Sequence, residues 1–570
     1  MLVVLAIWAV PFTRATGGRG VHSELVFAVA LLVLLPVMRV WRLPTRSIVV
    51  PTLTACAAVL VCVFAPSHWY GSDVAGGYVI AAACFLASRR YIRDVERRNL
   101  VALAICLAGL YEFSVAFSSW WGSGDPTNEM SGSFYWHNPY AAYLVPGAVI
   151  GLGLVLTRRA PWNVVGWIST PLCSAGIVFS SSRATMAVLG VALLTVVAVG
   201  VRSWASFARA VGALVVTVAV ILVLPGPPFF SHHSSPLAAT TVRGASQSLS
   251  ANGGYRTEFW REALQVALHH PIVGSGFHVL ATASAYYSPS SWAHSPQAHD
   301  GYLQALSDGG LLLGVPFLCA VAAVAFWALR RLWAAARLGA FDADIVQLTV
   351  AIAVLGGLAH SAVDFDWSHP SIMVGGALLA ACVAPTYEDG PASVGSLRRR
   401  LPALAALVVV MAVMIPALHQ WQVDEPNLLH STDSLLADAG APFGDFRPAE
   451  AVLSDAVNGR RVLTSAEAET ALQQTASEAT VDLHLALLRY AIGAQSGLIA
   501  DAVASAQAEL RLVDGSLALY VPDLALVQID AGNLAAAAKS LRTDIAEQSD
   551  AGEASPDLPG EVLLWAQRLG

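Results

Sequence analysis

Long apolar runs broken by short polar connections dominate the first 420 residues. Runs approaching the roughly 20 residues that carry a helix across a hydrocarbon core fall near 1–13, 22–41, 47–65, 72–88, 100–120, 137–157, 161–180, 184–201, 207–225, 309–329, 344–362, 370–386 and 401–419. The pattern predicts an all-α protein, a polytopic transmembrane helical bundle of about 12–13 spans. The first run is short and lacks the basic start of a signal peptide, so it reads as a weak first helix.

Two stretches escape this rhythm. One is the connection 226–308, far longer than an ordinary loop and therefore a candidate functional segment. It holds one amphipathic helix, expected over residues 256–269, with Phe259, Trp260, Leu264, Val266 and Leu268 among charged neighbours. The other is the tail after residue 420, with Ala-rich helical segments expected near 427–439, 446–458, 465–491, 497–512, 517–530 and 533–548. Pro522 to Ala538 resembles one tetratricopeptide unit, but no clear second copy follows. An irregular acidic helical domain fits equally well. The division expected is a transmembrane domain over 1–420 and an acidic helical domain over 421–570.

Composition sharpens both readings. The chain is 56% apolar and only 12% charged, against about 25% charged in a typical soluble domain. So few charges cannot cover 570 residues unless lipid solvates most of them. From Trp421 onward the chain carries 8 basic and 22 acidic side chains, and the remainder 24 basic and 17 acidic. Two differently solvated bodies are joined near residue 420.

Arginines also set the expected orientation. Arg89, Arg90, Arg93, Arg97 and Arg98, then Arg158 and Arg159, Arg202, Arg330, Arg331 and Arg337, and Arg398 to Arg400 occupy every second connection. Those connections are expected in the cytoplasm of a bacterium, with 121–136, 226–308 and the tail outside the inner (plasma) membrane. Arg14 and Arg19 are the one dissent. The cysteines, Cys56, Cys62, Cys84, Cys106, Cys173, Cys319 and Cys382, all lie in apolar runs without CxxC spacing and read as buried small hydrophobes.

Charged groups at or near membrane depth are costly and so are functional candidates. Ser180-Ser181-Ser182-Arg183 makes a tight turn between two spans; read alone, Arg183 fits an interfacial anchor at least as well as a ligand. Arg256 opens the amphipathic helix, which stops at His270-Pro271-Ile272-Val273-Gly274-Ser275-Gly276. His299-Asp300-Gly301-Tyr302-Leu303-Gln304 precedes Gly309-Gly310 and a long span. A histidine just above a membrane entry titrates near neutrality and suits a general base for a hydroxyl, although a hydrogen-bonded structural role is the more common one. The turn from His360 to Pro370 carries Asp364, Asp366 and His369, a conceivable metal set that helix capping explains better. Nucleotide-binding loops, the HExxH motif and the GxSxG elbow are absent from the sequence. The scattered arginines form no patch for nucleic acid.

In this order and topology the motifs resemble the O-antigen ligase/polymerase superfamily of bacterial lipid-linked glycan transferases. The matching pieces run from Ser131-Gly132-Ser133-Phe134 and His137-Asn138-Pro139-Tyr140 through Ser182-Arg183, Arg256 to Trp260, His270 to Gly276 and His299 to Gly310. They end in the His360–Pro370 turn. The resemblance implies an inverting, metal-independent and cofactor-free transfer from an undecaprenyl-diphosphate carrier to a glycan, lipid or protein acceptor. It makes His299 the general base and Arg183 and Arg256 the diphosphate ligands, with Asn138, Tyr302, Gln304 and Asp364 in support. Two positions depart from the family's pattern: Asp300, where many relatives carry Asn, and Asp308 in place of a Glu-containing turn. The tail is expected to recruit an acceptor or a protein partner. A flippase or transporter of lipid-linked sugars and a non-catalytic envelope scaffold are the alternatives. The first lacks the internal repeat and mid-bilayer polar cluster that transporters show.

Overall fold

A computed structural model of the chain describes residues 43–123, 129–134, 136–157, 162–224, 249–285, 295–338, 345–385, 394–423, 431–457 and 460–477, with a few isolated positions besides. Among these residues every regular element is helical and no strand occurs. In chain order they are α1 (Thr45–Phe64), α2 (Ser72–Tyr91), α3 (Val95–Ser123), α4 (His137–Leu156), α5 (Trp162–Phe179), α6 (Arg183–Gly200), α7 (Trp204–Val223) and α8 (Leu249–His269). Then follow α9 (Leu280–Ala285), α10 (Gly301–Leu338), α11 (Ile345–His360), α12 (Pro370–Val383), α13 (Val394–Val423), α14 (Thr432–Ala439), α15 (Arg447–Val457) and α16 (Ser465–Gln474).

Eleven of the expected spans coincide with described helices; the runs at 1–13 and 22–41 lie almost entirely outside the described residues. Eight helices among the described residues are long and apolar enough to cross a membrane: α1, α3, α4, α5, α6, α7, α10 and α13. The shorter α11 and α12 are apolar too. Although long enough, α2 is not among the eight; Asp73, Arg89 and Arg90 lie near its ends. It is instead buried along nearly its whole length, packed by α1, α12 and α13.

Small residues let the inner helices approach closely, as lipid-solvated bundles require. At the α4–α5 crossing, a Cβ on Gly166 would lie 2.5 Å from the Gly151 carbonyl, and Ser169 Oγ donates to the Gly147 carbonyl at 2.7 Å. Peripheral α6, α7 and α10 instead turn Val191, Leu194, Val215, Leu222, Phe326 and Leu329 outward. Large apolar side chains on an outer face fit a lipid solvent.

The long connection differs from expectation at its end. α10 begins at Gly301, eight residues before the expected span, and bends at Gly310, whose φ is +55°. The bend frees backbone groups, and 271–276 satisfies them. Leu311 and Leu312 donate to the carbonyls of Pro271 and Ile272 at 2.8 and 2.9 Å, while Ser275 and Gly276 donate to Ser307 and Asp308 at 2.9 Å. A Cβ on Gly274, itself at φ +70°, would come within 2.3 Å of the Asp308 backbone. The Pro/Gly-rich stop is therefore the counterpart of the Gly-Gly kink.

In the tail, α13 runs unbroken past residue 420, and α14 to α16 match the beginning of the expected helical series. Their cluster includes Leu435, Phe446, Val452, Leu453 and Ala468, with Tyr70 of the α1–α2 connection packed against it. Trp69 meets Phe443, and Tyr70 meets Phe446, edge-on at 5.2 and 5.0 Å. The tetratricopeptide-like stretch 522–538 lies outside the described residues.

Candidate active site

One end of the bundle gathers the titratable groups. The turn between α11 and α12, residues 361–369, is the piece on which they meet. His299 stands just before α10 with φ +50°, a left-handed conformation that costs a non-glycine residue about 1–2 kcal/mol. The surroundings hold it there. Its carbonyl accepts from Trp260 Nε1 at 3.2 Å. Its ring stacks on Phe259 at 5.6 Å and meets Phe365 edge-on at 5.2 Å. Gly301 N donates to the Ser361 carbonyl at 2.7 Å, fastening this segment to the turn.

Nδ1 of His299 lies 3.7 Å from Asp364 Oδ1, too long for a hydrogen bond but close enough for electrostatic pairing. Asp364 is fully buried. Burial alone would raise its carboxyl, yet His299 and His360 outweigh that and hold it below the usual carboxylate range. The imidazole thus has a buried anion on its Nδ1 side, while Nε2 engages no hydrogen-bond partner among the described residues.

Arg256, on α8, reaches the same turn: Nη1 donates to the Val363 carbonyl at 2.7 Å. No other hydrogen bond engages its guanidinium among the described residues, so donors remain for an anion. Arg183 is the first residue of α6, half-buried, behind Ser181 at φ +60°. Its helix is tied to the site by a buried chain that sequence reasoning missed. Ser182 Oγ pairs with Thr185 Oγ1, Thr185 Oγ1 with His360 Nε2, and His360 Nδ1 with Asp366 Oδ2, each at 2.8 Å; Ser361 Oγ donates to the same Asp366 oxygen at 2.9 Å. Thr185 falls two residues after Arg183, and His360 ends an apolar helix. Neither position signals a contact across 175 residues.

The supporting residues divide by role. Tyr302 Oη donates to the Leu358 carbonyl at 2.6 Å, binding α10 to α11. Gln304 accepts from Ala298 N at 2.7 Å and donates to Asp308 Oδ1 at 2.8 Å, bracing the segment before His299. Asp300 caps α10, its Oδ1 accepting from Tyr302 N and Leu303 N at 2.8 and 2.9 Å; an Asn there has the same acceptor. Burial raises the Asp300 carboxyl despite those two bonds. Asn138 is buried in the first turn of α4, and among the described residues no hydrogen bond joins it to His299.

Asp364, Asp366 and His369 do not converge: the first faces His299, the second is bound to His360, and His369 packs on Phe134 and Phe365. Burial lowers the His369 imidazole to about 4, so it is neutral at physiological pH. Among the described residues no three His, Cys, Asp or Glu side chains form a metal-holding group. A second unforeseen feature is Glu112, fully buried within α3, which accepts from Ser133 N and Oγ at 2.7 and 2.9 Å. Its signal was available as a lone carboxylate in an apolar run. A cysteine departs from expectation: Cys319 is exposed on α10.

An all-helical, multi-pass membrane protein with a histidine, carboxylate and arginine site at one end of its bundle is the class these features define. Residues 168–318 match the family model described as O-Antigen ligase, a stretch that contains Arg183, Arg256 and His299. Over this stretch the chain carries an O-antigen ligase domain, which supports ligase- or polymerase-like membrane glycan transfer in general terms. The match ends before His360 and Asp364. Among curated proteins none matches the chain.

Proposed function

We propose that this protein transfers a glycan from an undecaprenyl-diphosphate carrier to an acceptor hydroxyl at the extracytoplasmic face of the inner membrane, in cell-surface polysaccharide assembly. The observation that carries the reading is His299, whose backbone is left-handed at φ +50° and whose imidazole turns Nδ1 to buried Asp364 and leaves Nε2 without a hydrogen-bond partner among the described residues, with Arg256 on the same turn. Nε2 takes the acceptor's proton as its oxygen attacks the anomeric carbon. The C–O bond to the carrier breaks, and undecaprenyl diphosphate leaves with the bonding electrons. A single displacement of this kind inverts the anomeric centre. Arg256 and Arg183 pair with the diphosphate and stabilise the charge that develops on it.

Arginine placement supports the orientation. Arg89, Arg97, Arg331 and Arg209 cluster at the end opposite His299, where they bind carbonyls at helix termini. By the positive-inside rule that end is cytoplasmic. The tail docks through Trp69 and Tyr70 at the His299 end, which would put an acceptor- or partner-recruiting domain beside the site.

The test is purified chain in detergent with an undecaprenyl-diphosphate glycan and a hydroxyl acceptor. Product with inverted anomeric configuration is expected. Carrier binding without product across glycan, lipid and protein acceptors would turn the reading toward a flippase or a scaffold.

A further inference from the structure

The exposed face of α8 changes character along its length. Gly254, Tyr255, Thr257 and Arg261 occupy it first; Leu264 and Leu268 follow at helical spacing, with His269 exposed beside Leu268 and its Nδ1 paired to the Gln265 carbonyl, then Pro271 and Ile272 beyond the helix end. Leu268 is 62% exposed and Ile272 71%. Ala263 and Val266, on the opposite side, are buried against Val279, Leu280, Ala283 and Ala298, so the outer residues are left over from that packing.

This apolar stretch does not end at Ile272. The Ile272 carbonyl accepts from Leu312 N at 2.9 Å. Leu311, 58% exposed, and Val315 continue the surface down α10, one of the eight membrane-length helices. Where the face turns polar, Arg261 is paired with Glu258 at 3.0 Å. A helix whose outer face grades from polar to apolar, and whose apolar end is hydrogen-bonded onto a membrane span, fits one environment: the boundary between lipid headgroups and acyl chains.

We propose that α8 slants into the bilayer surface, with Leu264, Leu268 and Ile272 seated in the headgroup–acyl boundary. The other end of the helix carries Arg256, Phe259 and Trp260, which touch the turn and His299. The lipid seat therefore sets the height of the site's roof above the membrane. The seat rests only on the chain's being a membrane protein; its consequence for a lipid-borne diphosphate rests on the proposed transfer.

Fluorescence quenching tests the seat without any assay of activity. In full-length chain with Cys319→Ala, an environment-sensitive dye is placed at Thr257→Cys, Leu268→Cys, Ile272→Cys or Val315→Cys, the last as the in-bilayer reference. The proteins are reconstituted into phosphatidylethanolamine/phosphatidylglycerol vesicles. Acyl-chain nitroxide lipid is expected to quench positions 268 and 272 severalfold more than 257, approaching 315, with aqueous iodide showing the reverse order. Iodide access at 268 and 272 equal to that at 257, without nitroxide quenching, would overturn the proposal. Either result stands whether or not glycan transfer is observed.

Discussion

The two ends of the bundle use the same side chains for opposite ends. At the arginine-rich end, guanidinium groups are engaged by backbone. Arg331 donates to the Val383 and Ala384 carbonyls at 2.7 and 3.2 Å, and Arg209 to those of Leu156 and Thr157 at 3.0 and 3.1 Å. Arg89 donates to Pro385. These are C-terminal carbonyls of α4 and α12 and the residues just after them, which lack intrahelical partners and carry the negative pole of the helix dipole. At the His299 end, Arg256 makes one such bond, to Val363, and keeps its other donors. A nearby histidine, His299, holds a left-handed backbone and faces buried Asp364 with one side of its ring. Residue type alone does not distinguish the two ends; where each guanidinium is anchored does.

That contrast gives a ranked set of expectations. The largest effect belongs to His299→Ala, which should lower turnover by about two to four orders of magnitude, the usual contribution of a general base. Next comes a matched pair. Arg256→Ala should cost about 10²–10³ in turnover and little in the detergent melting temperature. Arg331→Ala should cost about 1–3 kcal/mol of stability and leave turnover near normal. If the two arginines behaved alike in either measurement, the contrast between the ends would fail.

His360→Ala addresses the buried chain behind the site. Removing the ring leaves the Asp366 carboxylate buried beside Ser361 alone, at a cost of about 3–5 kcal/mol. Thermal unfolding should show that loss, and residual transfer at low temperature should fall as the 361–369 turn loosens. A stable variant with full activity would mean the chain is dispensable.

The smallest effect concerns His278, whose Nε2 pairs with Asp73 at 2.9 Å. Burial works to lower this imidazole, but Asp73 outweighs it and the group lies above its ordinary value. A raised folded-state pKa means the contribution is complete below about 6.5, the unfolded value, and is lost as pH rises through the folded value. Melting temperature should therefore decline slightly across that window in the wild type, and the decline should shrink in His278→Gln. An unchanged pH slope in the variant would remove the pair from the account.

Much of the bundle was legible because lipid imposes a coarse code: length and apolarity located eleven helices. α2 was legible as a helix although its length of apolar contact comes from other helices rather than lipid. The start of α10 was missed because Gly301 to Asp308 interrupts Leu303, Ala305 and Leu306 with Gln304, Ser307 and Asp308, and its helix is capped by Asp300 rather than marked by hydropathy. The Gly309-Gly310 kink and the His270–Gly276 stop were visible separately. Their pairing runs through main-chain bonds, which leave no side-chain pattern. For the site, His299, Arg256 and Arg183 were singled out from motif order, and Asp364 from its turn. The Thr185–His360–Asp366 chain was not, because a threonine and a histidine far apart in sequence reveal a contact only once α6 and α11 are packed.

The most direct measurement is single-turnover transfer from a purified undecaprenyl-diphosphate glycan by wild type and His299→Ala, with carrier binding and melting temperature recorded on the same preparations. The account predicts a variant that folds, binds the carrier like the wild type and transfers at least about a hundredfold more slowly. Near-normal transfer by a folded His299→Ala would contradict it.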